Sequence, residues 1–218
     1  MEMMKWLHQQ RIPSSMLSDH YALAQRHTAK TYSEMVAGKG KATIISTSMT
    51  RGIRADVFNE EYFIEGRASF HRFHGGKAKH IRNQVETHLY DERPDTVIIL
   101  AGGNDLPTRQ RSPSSLVVIA NYIIDIAMMC KKYDVRNICV TSVLPREDFY
   151  LQLRRKELND ILRSLSELYG FIFIDMDHGE DRIILSDHID RDGVHLNSLG
   201  SEVLAHRFGS VLNRIHSC

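Results

Sequence analysis

The sequence lacks an excess of charge of either sign. Its 218 residues contain 28 Lys and Arg against 27 Asp and Glu, which gives a formal net charge of +1 at pH 7. Proteins that bind nucleic acid usually carry a basic excess or a basic run, whereas basic and acidic residues are mixed throughout this chain. The composition therefore gives no electrostatic support for a nucleic-acid-binding surface.

Cysteine is also scarce, with Cys130, Cys139 and Cys218 as its three occurrences. These three have no metal-ligand spacing, and an odd number of cysteines is a poor basis for a disulfide framework. Cys130 falls in an apolar helical pattern and Cys139 in a strand pattern. We expect both to be buried, reduced thiols.

Long apolar segments are missing as well. Residues 1–10 have no apolar core of the kind found in secretory signals. The longest apolar run, Leu116 to Met129, is interrupted by Asn121 and Asp125 and is too short to cross a bilayer. We expect an intracellular, cytoplasmic protein without a membrane span.

What is present is an ordinary globular composition with alternating strand and helix patterns. Hydrophobic residues make up 42% and charged residues 25% of the chain, which excludes disordered and collagen-like classes. Alternation of this kind predicts an α/β fold with a parallel sheet covered on both faces. The predicted strands are 42–46, 68–73, 97–100, 138–140 and 171–175; the predicted helices cover 79–90, 113–133, a segment ending at Gly170, and a last one capped by Asn197 or Ser198. Residues 1–40 are predicted to be an N-terminal extension or linker, and residues 41–218 the domain.

Polar residues follow the first three predicted strands where each strand ends. Ser48 comes after the first strand, Gly75 after the second, and Asn104 after the third, within the turn Gly102-Gly103-Asn104-Asp105. Because the carboxyl ends of parallel strands meet at one edge of a sheet, we expect these residues to be neighbours.

A loop before the last helix carries Asp192-Gly193-Val194-His195. A serine hydroxyl needs a base, and the base needs an orienting carboxylate; Ser48, His195 and Asp192 provide these three roles. The backbone N–H groups of Ser48 and Gly75 and the side-chain amide of Asn104 would form an oxyanion hole. The residues that compete for the base and carboxylate roles are Asp187, Asp190, His71, His74, His80 and His188.

These motifs resemble the SGNH (GDSL-type) hydrolase family, whose four sequence blocks contribute Ser, Gly, Asn and His. The third block, residues 102–105, and the segment Asp192 to His195 followed by Leu196-Asn197 match well, while the second block is Gly75 with Gly76 as the alternate. The resemblance covers about residue 42 to the C-terminus. It implies a three-layer, flavodoxin-like α/β/α fold with a five-stranded parallel sheet. It also implies cofactor-free hydrolysis of small-molecule, carbohydrate or lipid esters.

The first block departs from the family, because Ser46-Thr47-Ser48 stands where the family has Gly-Asp-Ser. The change adds a Cβ at a turn and removes a carboxylate acceptor, but it leaves the proton-transfer groups in place. The sequence therefore predicts a serine esterase or acyl hydrolase. The alternative is a catalytically impaired SGNH-fold interaction module, such as part of a larger or mobile-element-encoded protein. A Ser48–His195 distance beyond hydrogen-bond reach would favour that alternative.

Two further hypotheses concern charged residues near the predicted site. Carboxylates and imidazoles between Asp175 and His195 permit a metal site, but they lack the compact helical spacing of hydrolytic zinc motifs, so no metal is predicted. Arg51, Arg54, Lys77 and Lys79 would favour an anionic substrate if they flank the site; solvated side chains are the simpler expectation.

Overall fold

The computed structural model describes residues 40–106, 114–179 and 181–217. Cys218, the predicted extension up to residue 39 and residue 113, where the helix predicted over 113–133 begins, lie outside these residues. The first described strand starts at Gly40, one residue before the predicted start of the domain.

The described residues form one parallel sheet of five strands with the order β2-β1-β3-β4-β5. This is the flavodoxin-like order, in which ligands bind outside the carboxyl ends of the strands where the order reverses, at β1 and β3. The predicted five-stranded parallel sheet is confirmed. The strands are β1 (Gly40–Ser46), β2 (Gly66–Arg72), β3 (Thr96–Leu100), β4 (Asn137–Thr141) and β5 (Ile172–Ile174).

Helices cover both faces of the sheet, because adjacent strand residues point to opposite sides. Ile45 and Ile99 belong to one buried core and Ile44 and Ile98 to the other. Helices α2, α3 and α4 pack on the first core, and α6 packs on the second. The helices are α1 (Ala55–Val57), α2 (Ala78–Glu92), α3 (Ser114–Lys132), α4 (Phe149–Tyr169), α5 (Leu185–His188) and α6 (Ser198–His216).

The C-terminal end of α4 and the N-terminal end of α6 follow local signals in the sequence. Gly170 ends α4 with a φ of +71°, a left-handed conformation that favours glycine, as predicted. The Asn197 side chain caps α6 by accepting a hydrogen bond from the Gly200 N–H at 2.8 Å. That cap places the loop carrying Asp192 and His195 directly before the helix.

The two described cysteines, Cys130 and Cys139, are buried and form no disulfide. Burial raises the pKa of Cys139 to about 12 and raises that of Cys130 as well. Both are therefore inert core thiols. None of the helices in the described part of the chain has the length and apolar character needed to cross a membrane.

Candidate active site

A short 3-10 turn, Ser48–Thr50, follows β1 and positions the candidate nucleophile. Ser46, where the resemblance expects glycine, is buried, and its hydroxyl lies 2.6 Å from Thr50 Oγ1. Thr47, where an aspartate is expected, is also buried and donates its N–H to the Leu100 carbonyl at 3.3 Å. The replaced residues of the first block are thus accommodated by hydrogen bonds that tie this turn to itself and to β3.

The candidate base lies on a tight turn that returns to the same edge of the sheet. Gly193 has a φ of +70° and donates its N–H to the Asp190 carbonyl at 2.9 Å, while Asp190 N–H donates to the His195 carbonyl at 2.7 Å. The Glu147 N–H, in the loop after β4, donates to the Gly193 carbonyl at 3.0 Å. These bonds fix the loop between Asp190 and His195 against the loop that follows β4.

Ser48, His195 and Asp192 form a continuous hydrogen-bonded chain. Ser48 Oγ lies 2.9 Å from His195 Nε2, although the two residues are 147 positions apart. His195 Nδ1 lies 2.7 Å from Asp192 Oδ2. A carboxylate that accepts from Nδ1–H leaves Nε2 free to accept the serine proton. The geometry therefore allows His195 to act as a base toward Ser48.

Asp192 is held in its charged form. Its Oδ1 accepts the backbone N–H of His195 at 2.8 Å and that of Val194 at 2.9 Å. These bonds, together with the His195 side chain, hold the pKa of Asp192 well below its usual range. The carboxylate thus remains negative across the neutral range and stabilises an imidazolium at His195.

The competing carboxylates do not contact the His195 ring. Asp190 Oδ1 accepts the Arg191 N–H at 2.8 Å, and Asp187 Oδ1 accepts the Ser186 hydroxyl at 2.7 Å. Of the three aspartates considered from the sequence, Asp192 is the partner of the imidazole.

The competing histidines have other partners or face solvent. His188 is buried, and its Nδ1 accepts the Ile184 N–H at 2.9 Å. His71 pairs with Glu92 at 2.6 Å, while His74 and His80 are exposed. Among the histidines that the structure describes, His195 is the one hydrogen-bonded to Ser48.

Gly75 and Gly76, the two candidates for the second donor, differ in whether their N–H groups are already hydrogen-bonded. The Gly76 N–H already donates to the Phe73 carbonyl at 2.8 Å, and the Gly76 carbonyl accepts Asn104 Nδ2 at 3.1 Å. Gly75 has a φ of +65°, which favours glycine, and its N–H has no acceptor among the described residues. The Ser48 N–H likewise has no acceptor in the described part of the chain. Gly75, Ser48 and one amide hydrogen of Asn104 are therefore the available donors.

Asp105 has a positioning role that the sequence pattern did not reveal. Its Oδ2 accepts the Ala78 N–H at 2.9 Å, at the first turn of α2. Burial raises the pKa of this carboxyl above its usual value. With the Asn104 bond to Gly76, this contact ties the loop after β3 to the loop after β2. In the sequence, an aspartate that directly follows an asparagine at a strand end indicates a turn residue. The contact between Asp105 and Ala78 could therefore not be predicted from the sequence.

The basic residues expected near the site differ in their placement. Arg51 Nη2 lies 3.8 Å from Asp190 Oδ2 and 3.9 Å from Asp192 Oδ2, with 46% of its side chain exposed. Arg54 pairs with Asp56 on the surface, and Lys77 and Lys79 are exposed. Of these four basic residues, Arg51 is the one that contacts the loop carrying Asp192 and His195, and exposed ion pairs of this kind contribute little energy.

The carboxylates that suggested a metal site have protein partners. Asp175 accepts from Arg163 Nη2 at 2.6 Å, and Asp177 accepts from Arg155 Nη1 at 2.5 Å. Across the described residues, no three side chains of the His, Cys, Asp or Glu type converge to hold a metal ion.

The Ser48, His195 and Asp192 arrangement lies at the carboxyl edge of a doubly wound sheet, the edge at which ligands bind in folds of this order. The model of the GDSL-like lipase/acylhydrolase family matches residues 21–203, which is most of the chain. The chain belongs to this family, as the resemblance predicted. No curated protein sequence matches it significantly.

Solved structures of similar fold carry related descriptions. A GDSL-like lipase from Bacteroides thetaiotaomicron is 16% identical with a TM-score of 0.67, over 90% of this chain and 98% of that one. A catalytic mutant of an acetylxylan esterase from Geobacillus stearothermophilus is 14% identical with a TM-score of 0.65, over 81% and 95% of the two chains. A lipase/acylhydrolase from Enterococcus faecalis is 15% identical with a TM-score of 0.63, over 81% and 96%. At these identities the likeness shows a shared fold.

Proposed function

We propose that this protein is a serine esterase that uses Ser48 as nucleophile, His195 as general base and acid, and Asp192 as the orienting carboxylate. The distance of 2.9 Å between Ser48 Oγ and His195 Nε2 carries the proposal, since proton transfer requires that reach. Membership of a lipase/acylhydrolase family supports hydrolysis as the reaction.

The first half-reaction forms an acyl-enzyme. Ser48 Oγ attacks the ester carbonyl carbon while its proton passes to His195 Nε2. The carbonyl oxygen becomes an oxyanion, which the Ser48 N–H, the Gly75 N–H and the Asn104 amide stabilise. When the intermediate collapses, the bond from carbon to the alcohol oxygen breaks and His195 protonates the departing alcohol.

The second half-reaction returns the free enzyme. A water molecule gives a proton to His195 Nε2 and attacks the acyl carbon, and the oxyanion again faces the same donors. Collapse breaks the bond to Ser48 Oγ, which takes the proton back from His195. The product is a carboxylic acid, and the whole cycle uses no cofactor.

The alternative, an impaired interaction module, is not favoured. A distance between Ser48 Oγ and the His195 ring well beyond hydrogen-bond reach would have favoured it. Instead, Ser46 and Thr47 are buried with hydrogen-bond partners, and Ser48 remains within reach of His195. These contacts support a working nucleophile without the glycine and aspartate of the family motif.

Hydrolysis of an aryl acetate together with active-site labelling tests the proposal. Replacing the nucleophile, Ser48→Ala, is expected to lower kcat by roughly 10⁴- to 10⁶-fold and to abolish labelling by a fluorophosphonate. Ser69→Ala is the matched control, because Ser69 also carries a hydrogen-bonded hydroxyl but lies in β2 beside Glu92. Turnover that survives in a folded Ser48→Ala variant would refute the assignment.

Acetylated carbohydrate belongs among the first substrates to be tried. Acetylxylan esterases are among the proteins of similar fold, and the proposed oxyanion donors act on the carbonyl common to all acetyl esters. Release of acetate from acetylated xylan and from a simple aryl acetate, measured side by side, would separate a carbohydrate esterase from a general one.

A further inference from the structure

Arg146 lies in the loop after β4, against the residues that lead into the candidate site. Its Nη2 is 2.5 Å from the position that a Cβ on Gly103 would occupy, and Gly103 directly precedes Asn104. Arg146, Gly103 and Thr47, the neighbour of Ser48, line one small cavity. A guanidinium is thus placed between the loops that carry Ser48 and Asn104.

Arg146 is a buried residue whose guanidinium has no compensating partner in the described structure. Arg146 is 5% exposed, and among the described residues no acceptor forms a hydrogen bond or an ion pair with its guanidinium. Burial lowers the pKa of Arg146, and the negative charge of Asp192 raises it by a smaller amount. No nitrogen of Arg146 is among the fully buried, unpartnered side-chain atoms of the described residues, so the guanidinium keeps contact with solvent and can donate to an anion that reaches it from there.

The other buried arginines show what a structural arginine looks like in this fold. Arg155 donates to Asp177 at 2.5 Å and to the Val143 carbonyl at 3.0 Å. Arg154 donates from Nη1 to Glu157 at 2.5 Å, while its buried Nε and Nη2 have no partner among the described residues. Both arginines lie within α4 and have a carboxylate partner, whereas Arg146, beside Gly103, has none among the described residues.

We propose that Arg146 binds an anionic group carried by the substrate next to its scissile ester, most simply a carboxylate. The planar guanidinium matches a carboxylate in a bidentate manner, and its place beside Gly103 brings that group close to an acyl carbon attacked by Ser48. The inference rests on the proposed function, and it narrows the substrate class to acidic esters. The anionic group can sit on the acyl or on the alcohol side.

Paired charged and neutral esters test the preference on each side. For the acyl side, the mono-4-nitrophenyl ester of adipic acid is compared with 4-nitrophenyl pentanoate. For the alcohol side, 4-acetoxybenzoate is compared with 4-acetoxybenzamide, and uncatalysed hydrolysis is subtracted throughout. The wild-type enzyme is expected to show a higher kcat/KM for the charged member of one pair.

Substitution of the arginine should remove that preference. Arg146→Gln is expected to lower the charged-to-neutral ratio of kcat/KM by about 10- to 100-fold, the usual effect of losing a hydrogen-bonded ion. Arg146→Lys should retain part of the ratio, since it keeps the charge but not the fork of donors. Arg136→Gln is the control, because Arg136 lies at the opposite edge, before β4, and pairs with Asp95; its ratio should equal that of wild type.

The outcomes separate this inference from the proposed function. If wild type hydrolyses neutral esters without preferring either charged partner, the assignment of Arg146 is overturned while the esterase proposal survives. Equal loss on charged and neutral esters in Arg146→Gln would also overturn it. If no ester is hydrolysed, the proposed function itself has failed. Should Arg146→Gln not fold, the wild-type preference and the Arg146→Lys ratio decide the matter.

Discussion

Two polar clusters in this chain contain the same kinds of side chain in different orders. In the proposed catalytic cluster, Ser48, His195 and Asp192, the imidazole is in the middle and contacts both the hydroxyl and the carboxylate. In the second cluster, which we call the Glu92 cluster, the carboxylate is in the middle. The members of the Glu92 cluster are Thr43, Ser69, His71 and Glu92.

The order of contacts gives the hydroxyls of the two clusters different hydrogen-bond partners. Glu92 accepts the Thr43 hydroxyl at 2.6 Å, the Ser69 hydroxyl at 2.5 Å and His71 Nε2 at 2.6 Å. The Thr43 and Ser69 hydroxyls donate to a weakly basic carboxylate rather than to an imidazole, so neither becomes an activated nucleophile. The Glu92 cluster instead joins β1, β2 and the end of α2. The same kinds of side chain thus form two different hydrogen-bonding arrangements in this chain.

Removing one imidazole from each cluster should give the largest contrast. His195→Ala is expected to lower kcat for an aryl ester by roughly 10⁴- to 10⁶-fold, as loss of the base does in other serine hydrolases. His71→Ala should keep turnover near the wild-type value and lower the melting temperature. Steady-state kinetics and thermal unfolding of both variants check the contrast. Comparable kinetic losses in the two variants would show that the contact order does not separate the clusters.

Removing the asparagine donor should give the next largest effect. Asn104→Ala is expected to lower kcat by about 100- to 1000-fold with a smaller change in KM, since this amide would act chiefly on the oxyanion. Asn59→Ala is the matched control, because Asn59 bonds the N–H and carbonyl of Ala68 but lies away from the site. A loss of kcat in Asn59→Ala as large as that in Asn104→Ala would indicate that loosened backbone, rather than a lost donor, slows the reaction.

The smallest expected effect concerns stability in the Glu92 cluster. Burial raises the pKa of Glu92, but hydrogen bonds from Ser69, Thr43 and His71 outweigh it and hold the pKa below its usual value. The folded state therefore binds the proton less readily than the unfolded state, so this stabilisation is present above about pH 4.3 and is lost as pH falls below it.

Glu92→Gln tests that linkage. It should lower the free energy of unfolding at pH 7 by roughly 1–3 kcal/mol, as expected for lost charge-assisted hydrogen bonds. The difference from wild type should shrink as pH falls below about 4.3, while kcat at pH 7 stays near the wild-type value. Chemical denaturation at several pH values measures it, and a difference that grows toward low pH would contradict the assignment.

The first block shows a limit of what a sequence motif can predict about local geometry. The motif Gly-Asp-Ser suggests that glycine and aspartate are needed around the nucleophile, and this chain has Ser46 and Thr47 instead. The hydroxyl of Ser46 bonds Thr50, and the Thr47 N–H bonds the Leu100 carbonyl. Local geometry can thus be held by a different set of hydrogen bonds, which no motif records.

The sequence by itself determined the fold class, the order of strands and helices, and the residues at the strand ends. These follow from local causes: apolar periodicity, helix caps such as Asn197, and turn residues such as Gly170. The placement of Ser48, Asn104 and the Asp192–His195 segment on one edge then followed from the general rule for parallel sheets.

Only the tertiary structure decided which of these groups touch one another. The pairing of Ser48 with His195 joins residues 147 positions apart, and the proposal of Gly75 rather than Gly76 as a donor rests on a hydrogen bond from the Gly76 N–H to the Phe73 carbonyl. The unpaired charge of Arg146 depends on what several separate loops leave beside it. Whether a donor or a charge has a partner depends on all its neighbours in space. The order of residues along the chain does not specify those neighbours.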